Sequence, residues 1–122
     1  MLLLISQTIL LFSHIAVIWY IAVIMTFNLT LLLCDNMLVS STTLAAEIFQ
    51  FAEAMARASR GPHTKLRVRW VSIDGKPVQT SAGFQLTPTH AIDDRFTSDL
   101  IHIPALWRNP RPAVANNQAY IP

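Results

Sequence analysis

Hydrophobic positions run almost unbroken from Met1 to Cys34, a stretch without one Asp, Glu, Lys or Arg. Residues 9–27 form its longest apolar part, 19 residues that as a helix would span about 28 Å, close to a bilayer's hydrocarbon core. The end of the stretch reads differently. Residues 29–34, Leu-Thr-Leu-Leu-Leu-Cys, are a short apolar run closed by Asp35-Asn36, which predicts a fully buried strand of a parallel sheet. The pattern divides the chain near Asn28 into a hydrophobic segment, residues 1–27, and an α/β unit, residues 28–122.

The period then changes. Leu44, Ile48, Phe51, Ala52 and Met55 recur at helical spacing, which predicts a helix burying that stripe and turning Glu47, Gln50, Glu53 and Arg57 outward. Residues 40–43 offer N-caps, and Gly61-Pro62 stops the helix. Residues 65–73 alternate as a second strand and end at the turn dipeptide Asp74-Gly75. Residues 77–80 and 84–87 predict two short strands of a β excursion around Gly83. Residues 99–103 predict a third strand, and the prolines at 110 and 112 suit the first turn of a last helix. Strand, helix, strand, hairpin, strand and incipient helix are the opening of a doubly wound, flavodoxin-like α/β sheet. With one full helix its faces stay partly uncovered, so the unit reads as incomplete, poorly soluble and prone to self-association through the exposed sheet.

Composition narrows the chemistry. The net charge of +2 comes from nine dispersed basic residues interleaved with seven acidic ones, so no basic stripe predicts direct nucleic-acid binding. The single cysteine excludes an internal disulfide and a CxxC pair. Cys34 closes a buried strand and reads as an inert thiol. His63, His90 and His102, with Asp93 and Asp94, match no metal-ligand spacing, and His102 reads as a satisfied core group. No metal and no cofactor are expected. Asp35 and Asn36, with Glu47, stand where a switch-point crevice would open at the strand's carboxyl end. Trp107 and Arg108 follow the third strand as the edge of a ligand pocket. Each of these also reads as a turn, packing or surface residue.

The hydrophobic segment admits several readings. Its Trp19 and Tyr20 lie centrally, no Lys or Arg flanks it, and the nearest basic residue, Arg57, favours a cytoplasmic C-terminal side. His14 reads as a tolerated polar residue within it. A secretory signal would need a charged n-region and small residues at a cleavage site, and Leu33 stands where a lipoprotein site needs a small residue. A membrane anchor through residues 9–27 and an incidental extension of a cytoplasmic domain fit it equally.

The most specific stretch is Val68-Arg-Trp-Val-Ser-Ile-Asp-Gly-Lys-Pro-Val-Gln-Thr-Ser-Ala-Gly83. It resembles the second strand and β excursion of PfpI-like, class I glutamine amidotransferase-like domains, above all the sensor domain of AraC-type transcriptional regulators. In those, a first strand and a Glu-hydrophobic-Phe/Leu helix precede VSxDGxPVxTSxG and then DLxxxPGLW. Residues 29–34, 47–49, 71–83 and 99–107 match these in order, so the resemblance covers about residues 29–122. Ala105 replaces the usual glycine. The sequence also stops before the strand that would lead to the family's nucleophile elbow, and no helix-turn-helix follows. The resemblance implies a non-catalytic fragment of a ligand-sensing domain, whose intact parent binds a small-molecule effector and switches transcription. A remnant of a PfpI-like hydrolase or amidotransferase, and a small single-span membrane protein with a cytoplasmic α/β tail, are the alternatives.

Overall fold

The computed structural model describes residues 25–120. Strand β1 (Met25–Leu32) leads to helix α1 (Val39–Arg60) and strand β2 (Thr64–Ser72). The excursion follows as β3 (Val78–Gln79) and β4 (Gln85–Leu86), then β5 (His90–Ala91), β6 (Leu100–His102) and helix α2 (Pro110–Asn116). A 3-10 turn, Gln118–Tyr120, completes the described chain. Four strands form one sheet in the order β5-β2-β1-β6, and every pairing in it is parallel. The excursion makes a separate antiparallel pair. This is the expected α/β architecture with its small antiparallel excursion.

Three details depart from the sequence reading. The first strand begins at Met25, so Met25, Thr26 and Phe27 pair with Thr64, Lys65 and Leu66 and belong to the sheet. They formed the end of the candidate membrane segment, whose other residues, 9–24, lie outside the described residues, as does His14. Among the described residues no helix is long and apolar enough to cross a membrane. Second, His90, expected in a loop, pairs with Val71 in the short edge strand β5. Third, α1 starts one step after Leu38, which supplies no side-chain cap, and Ser41 Oγ instead donates to the Leu38 carbonyl at 2.7 Å.

The face that α1 presents to the sheet is the larger correction. Thr42 and Ala46 are buried there, with Phe49, Glu53 and Ala56 half-buried beside them. These positions recur at intervals of four and three, one side of a helix with 3.6 residues per turn. Leu44, Ile48, Phe51 and Met55 occupy the opposite side and are exposed. Glu53, expected in solvent, reaches the sheet margin, where its Oε1 accepts the Leu66 N–H at 2.9 Å. Small side chains at 42 and 46 let the helix lie on Leu29 and Leu31, both wholly buried, and Phe49 stacks on Phe27 at 5.9 Å.

The opposite sheet face carries Arg69, a cation only 7% exposed. Its Nη1 donates to the Thr97 carbonyl at 2.8 Å and to Asn28 Oδ1 at 3.4 Å, and its guanidinium lies 5.2 Å from the Phe96 ring centre. Asp99 closes the same corner. Its Oδ2 accepts from both the Asn28 backbone N–H (2.7 Å) and the Asn28 side-chain amide (3.0 Å). Those two bonds, the backbone one first, hold the Asp99 carboxyl below its ordinary value of 3.8. A depressed carboxyl contributes stability above its unfolded pKa and loses it as pH falls through the folded one. Acid titration from pH 5 to pH 2 is therefore expected to weaken the β1–β6 corner, and Asp99→Asn should flatten that part of the unfolding profile; an unchanged profile would show the bonds carry no weight.

Gly75, like Gly61 and Gly83, takes a positive φ, and it sits in the turn after β2. Its φ is +73°, and a Cβ there would stand 3.4 Å from the Ala91 Cβ. Gly75→Ala is expected to cost about 1–2 kcal/mol in urea unfolding, the penalty of a left-handed L-residue.

Candidate functional site at the strand carboxyl ends

The chain leaves β1 towards β2 on one side and reaches β6 on the other. The order of strands therefore reverses between β1 and β6, and in open α/β sheets ligands bind outside the strand ends at such a point. Here two loops meet. Met37 and Leu106 form an antiparallel bridge. The Leu38 N–H donates to the Ala105 carbonyl at 2.8 Å, and the Trp107 N–H to the Asn36 carbonyl at 3.4 Å. Ser41 Oγ accepts the Ala105 N–H at 3.1 Å. Ala105 has no positive φ, so this loop places no glycine requirement on it.

The excursion is tied to the same junction. Asp35 Oδ1 accepts the Gln79 N–H at 2.9 Å, the Asn36 N–H donates to the Gln79 carbonyl at 2.7 Å, and the Ser81 N–H donates to the Met37 carbonyl at 3.0 Å. Asn36 bends the backbone with φ +64°, a conformation asparagine tolerates better than most residues. Arg108, at φ +60°, lays its guanidinium 5.6 Å from the centre of the exposed Trp107 ring.

Two hollows open beside this junction. One, of about 230 Å³, is apolar and lined by Leu32, Ile103, Pro104, Leu106, Ala113 and Val114, with Cys34, Asn117 and Tyr120 at its inner wall. The other, of about 310 Å³, is polar and lies over the end of β2, where Asp35, Ser72, Asp74, Lys76, Asn116 and Asn117 contribute. Cys34 and Asn117 border both. Tyr120 fastens the closing wall, its hydroxyl donating to the Leu33 carbonyl at 2.8 Å and lying 3.2 Å from that of Val71. Burial, then the charges of Cys34 and Asp74, push the Tyr120 hydroxyl pKa up. Tyr120→Phe removes that anchor, and a loss of about 1 kcal/mol in urea unfolding is expected.

Cys34 is buried, and desolvation followed by the Asp35 charge pushes its thiol pKa up. That favours the neutral thiol over a nucleophilic thiolate. Asp74 is held down, first by the Lys76 backbone N–H (3.1 Å to Oδ1), with the Lys76 ammonium 3.5 Å away. Among the described residues no group of three metal-ligating side chains exists.

The four residues singled out from the sequence divide accordingly. Asp35 lines the polar hollow, and Asn36 holds the two loops together. Trp107 is joined to Asn36 through its backbone, and neither Trp107 nor Arg108 lines either hollow. Glu47 is exposed on α1. Leu106, which lines the apolar hollow, falls in the motif at 99–107, whereas Ala113, Asn117 and Tyr120 beside it carried no sequence signal beyond the proline start of α2. The Asx-type turn at Asp74 was legible as Asp-Gly. His102 is half-buried with no partner for Nε2 among the described residues, so it is not the satisfied group expected.

No family model matches the chain, and no curated protein matches it by sequence. Solved structures do match. A protein assigned as a transcriptional regulator from Vibrio parahaemolyticus superposes with a TM-score of 0.60 at 15% identity, over 75% of this chain and 45% of that one. An AraC family transcriptional regulator from Pseudomonas putida gives 0.48 at 16% identity, over 77% and 58%. A DJ-1 superfamily protein from Agrobacterium tumefaciens gives 0.45 at 17% identity, over 75% and 40%. The chain spans about half the length of these neighbours. The first likeness establishes the fold, a flavodoxin-like α/β sheet.

Proposed function

We propose that residues 25–120 are the first part of the effector-sensing domain of an AraC-type transcriptional regulator, non-catalytic and binding a small, largely apolar molecule in the 230 Å³ hollow. The observation that carries this is the hollow's position, at the switch point between β1 and β6. It has an apolar lining, and its one thiol, Cys34, is kept towards the neutral form by burial. Sequence motifs and the fold shared with a transcriptional regulator support the reading. The two α-helices among the described residues are separated along the chain by strands β2 to β6, so they do not form a helix-turn-helix. DNA contact on this reading belongs to another part of the regulator, which works in the cytoplasm.

The test is titration of the isotope-labelled chain with apolar compounds of about ten heavy atoms. Binding should shift the methyl resonances of Leu106, Ala113 and Val114, and Ala113→Phe, which fills the hollow, should abolish the shifts. Binding that persists in Ala113→Phe, or no methyl shift with any compound, would overturn the proposal.

A further inference from the structure

The apolar and the polar hollow share a wall. Cys34 and Asn117 line both, so spaces of about 230 Å³ and 310 Å³ adjoin across these two side chains. Neither side chain brings a cation to the wall. Cys34 is 7% exposed, and its thiol has no hydrogen-bond partner among the described residues. Asn117 spends an amide N–H on the Ala113 carbonyl at 2.6 Å, which leaves its Oδ1 as an acceptor. On the apolar side the Tyr120 hydroxyl is already committed to the Leu33 carbonyl. That hollow can therefore bury a carbon body, but it has little with which to orient one.

The polar hollow supplies the missing handle. Asp35 and Asp74 line it with a single ammonium, that of Lys76, which lies 3.5 Å from Asp74. One carboxylate is left over. Asp35 forms no ion pair among the described residues, and with Oδ1 accepting the Gln79 N–H its Oδ2 remains. The negative field reaches the wall, since Asp35 adds to the upward push on the Cys34 thiol and Asp74 to that on the Tyr120 hydroxyl. Such a field repels a carboxylate and attracts an ammonium. We infer that the two hollows hold one molecule, a primary amine with an apolar body. The body lies among Leu32, Leu106 and Val114, and the ammonium passes Cys34 to donate to Asn117 Oδ1 and Asp35 Oδ2. The assignment rests on the apolar hollow being the effector site. It makes the head group, through a charge-assisted hydrogen bond, the feature that selects among apolar molecules of similar size.

Titration of the isotope-labelled full chain with hexylamine, hexanol and hexanoate tests this, because the three share a carbon body and differ at the head. Hexylamine and hexanol should both shift the methyl resonances of Ala113 and Val114. Only hexylamine should also shift the backbone amides of Asp35 and Lys76. It should bind about tenfold more tightly than hexanol, the difference one hydrogen bond to a charged group makes, and hexanoate should bind more weakly than either. Asp35→Asn keeps the acceptor for the Gln79 N–H and removes the charge. It should cut the amine's advantage to about threefold or less, with a neutral hydrogen bond remaining, and an unaltered circular dichroism spectrum checks the fold. Equal affinity of amine and alcohol, unmoved Asp35 and Lys76 amides, tightest binding by hexanoate, or a full advantage in Asp35→Asn would each overturn the inference and leave the hollow a ligand site. Methyl resonances unmoved by all three compounds would overturn both.

Discussion

Leu31→Ala is expected to lower the unfolding free energy by about 3 kcal/mol and the urea midpoint by about 2 M. Leu31 is wholly buried in the central strand, paired with Trp70 on one side and His102 on the other, and it packs in the cluster with Leu29 and Ala46 beneath α1. Truncation removes transfer free energy and leaves a cavity that neither the sheet nor the long helix can close. A domain of this size has roughly 5–14 kcal/mol in total, so the variant stays folded only if the rest of the core is strong. Leu100→Ala, on the same sheet face but exposed at the edge strand, should cost well under 1 kcal/mol. Equal losses at the two positions would contradict the placement of the core.

The second large effect has the opposite sign. Thr30 and Thr42 are buried, and the hydroxyl of each lacks a partner among the described residues. A buried hydroxyl without a hydrogen bond costs about 1–3 kcal/mol. Valine keeps nearly the same shape and removes that penalty. Thr30→Val and Thr42→Val are each expected to raise stability by about 1 kcal/mol, with Thr30→Val aided by valine's preference for strands. The two lie on opposite faces of the sheet, so the double variant should gain about the sum, near 2 kcal/mol. Chemical denaturation of the four proteins checks this. A loss in either single variant would mean that the hydroxyl is satisfied in solution.

The central strands were legible because their chemistry is local. The alternation at residues 65–73 and the turn at Asp74-Gly75 need only neighbours in sequence to be read. The start of β1 was not legible, since hydrophobicity is continuous from residue 1 to residue 34 and nothing at Met25 interrupts it. The inner face of α1 was misread for a different reason. The helix carries two apolar stripes, and the larger residues, Leu44, Ile48, Phe51 and Met55, suggested the core. The sheet instead takes the small ones, Thr42 and Ala46, which allow close approach. Strand β5 has two residues and is held by register with Val71 and Ser72, a long-range fact with no local pattern. The site was legible only in part. Asp35 and Asn36 follow from strand-end position, whereas Tyr120 reaches the Leu33 carbonyl across 87 residues of sequence.

Everything proposed for the site depends on β1 lying between β2 and β6, because that order creates the switch point. The direct measurement is interstrand amide and Hα contacts by nuclear Overhauser spectroscopy on the labelled full chain. Contacts of residues 29–31 with residues 100–102, together with contacts of residues 25–32 with residues 64–71, are the predicted result. Residues 100–102 pairing instead beside β5, or not pairing at all, would remove the reversal in strand order and with it the site.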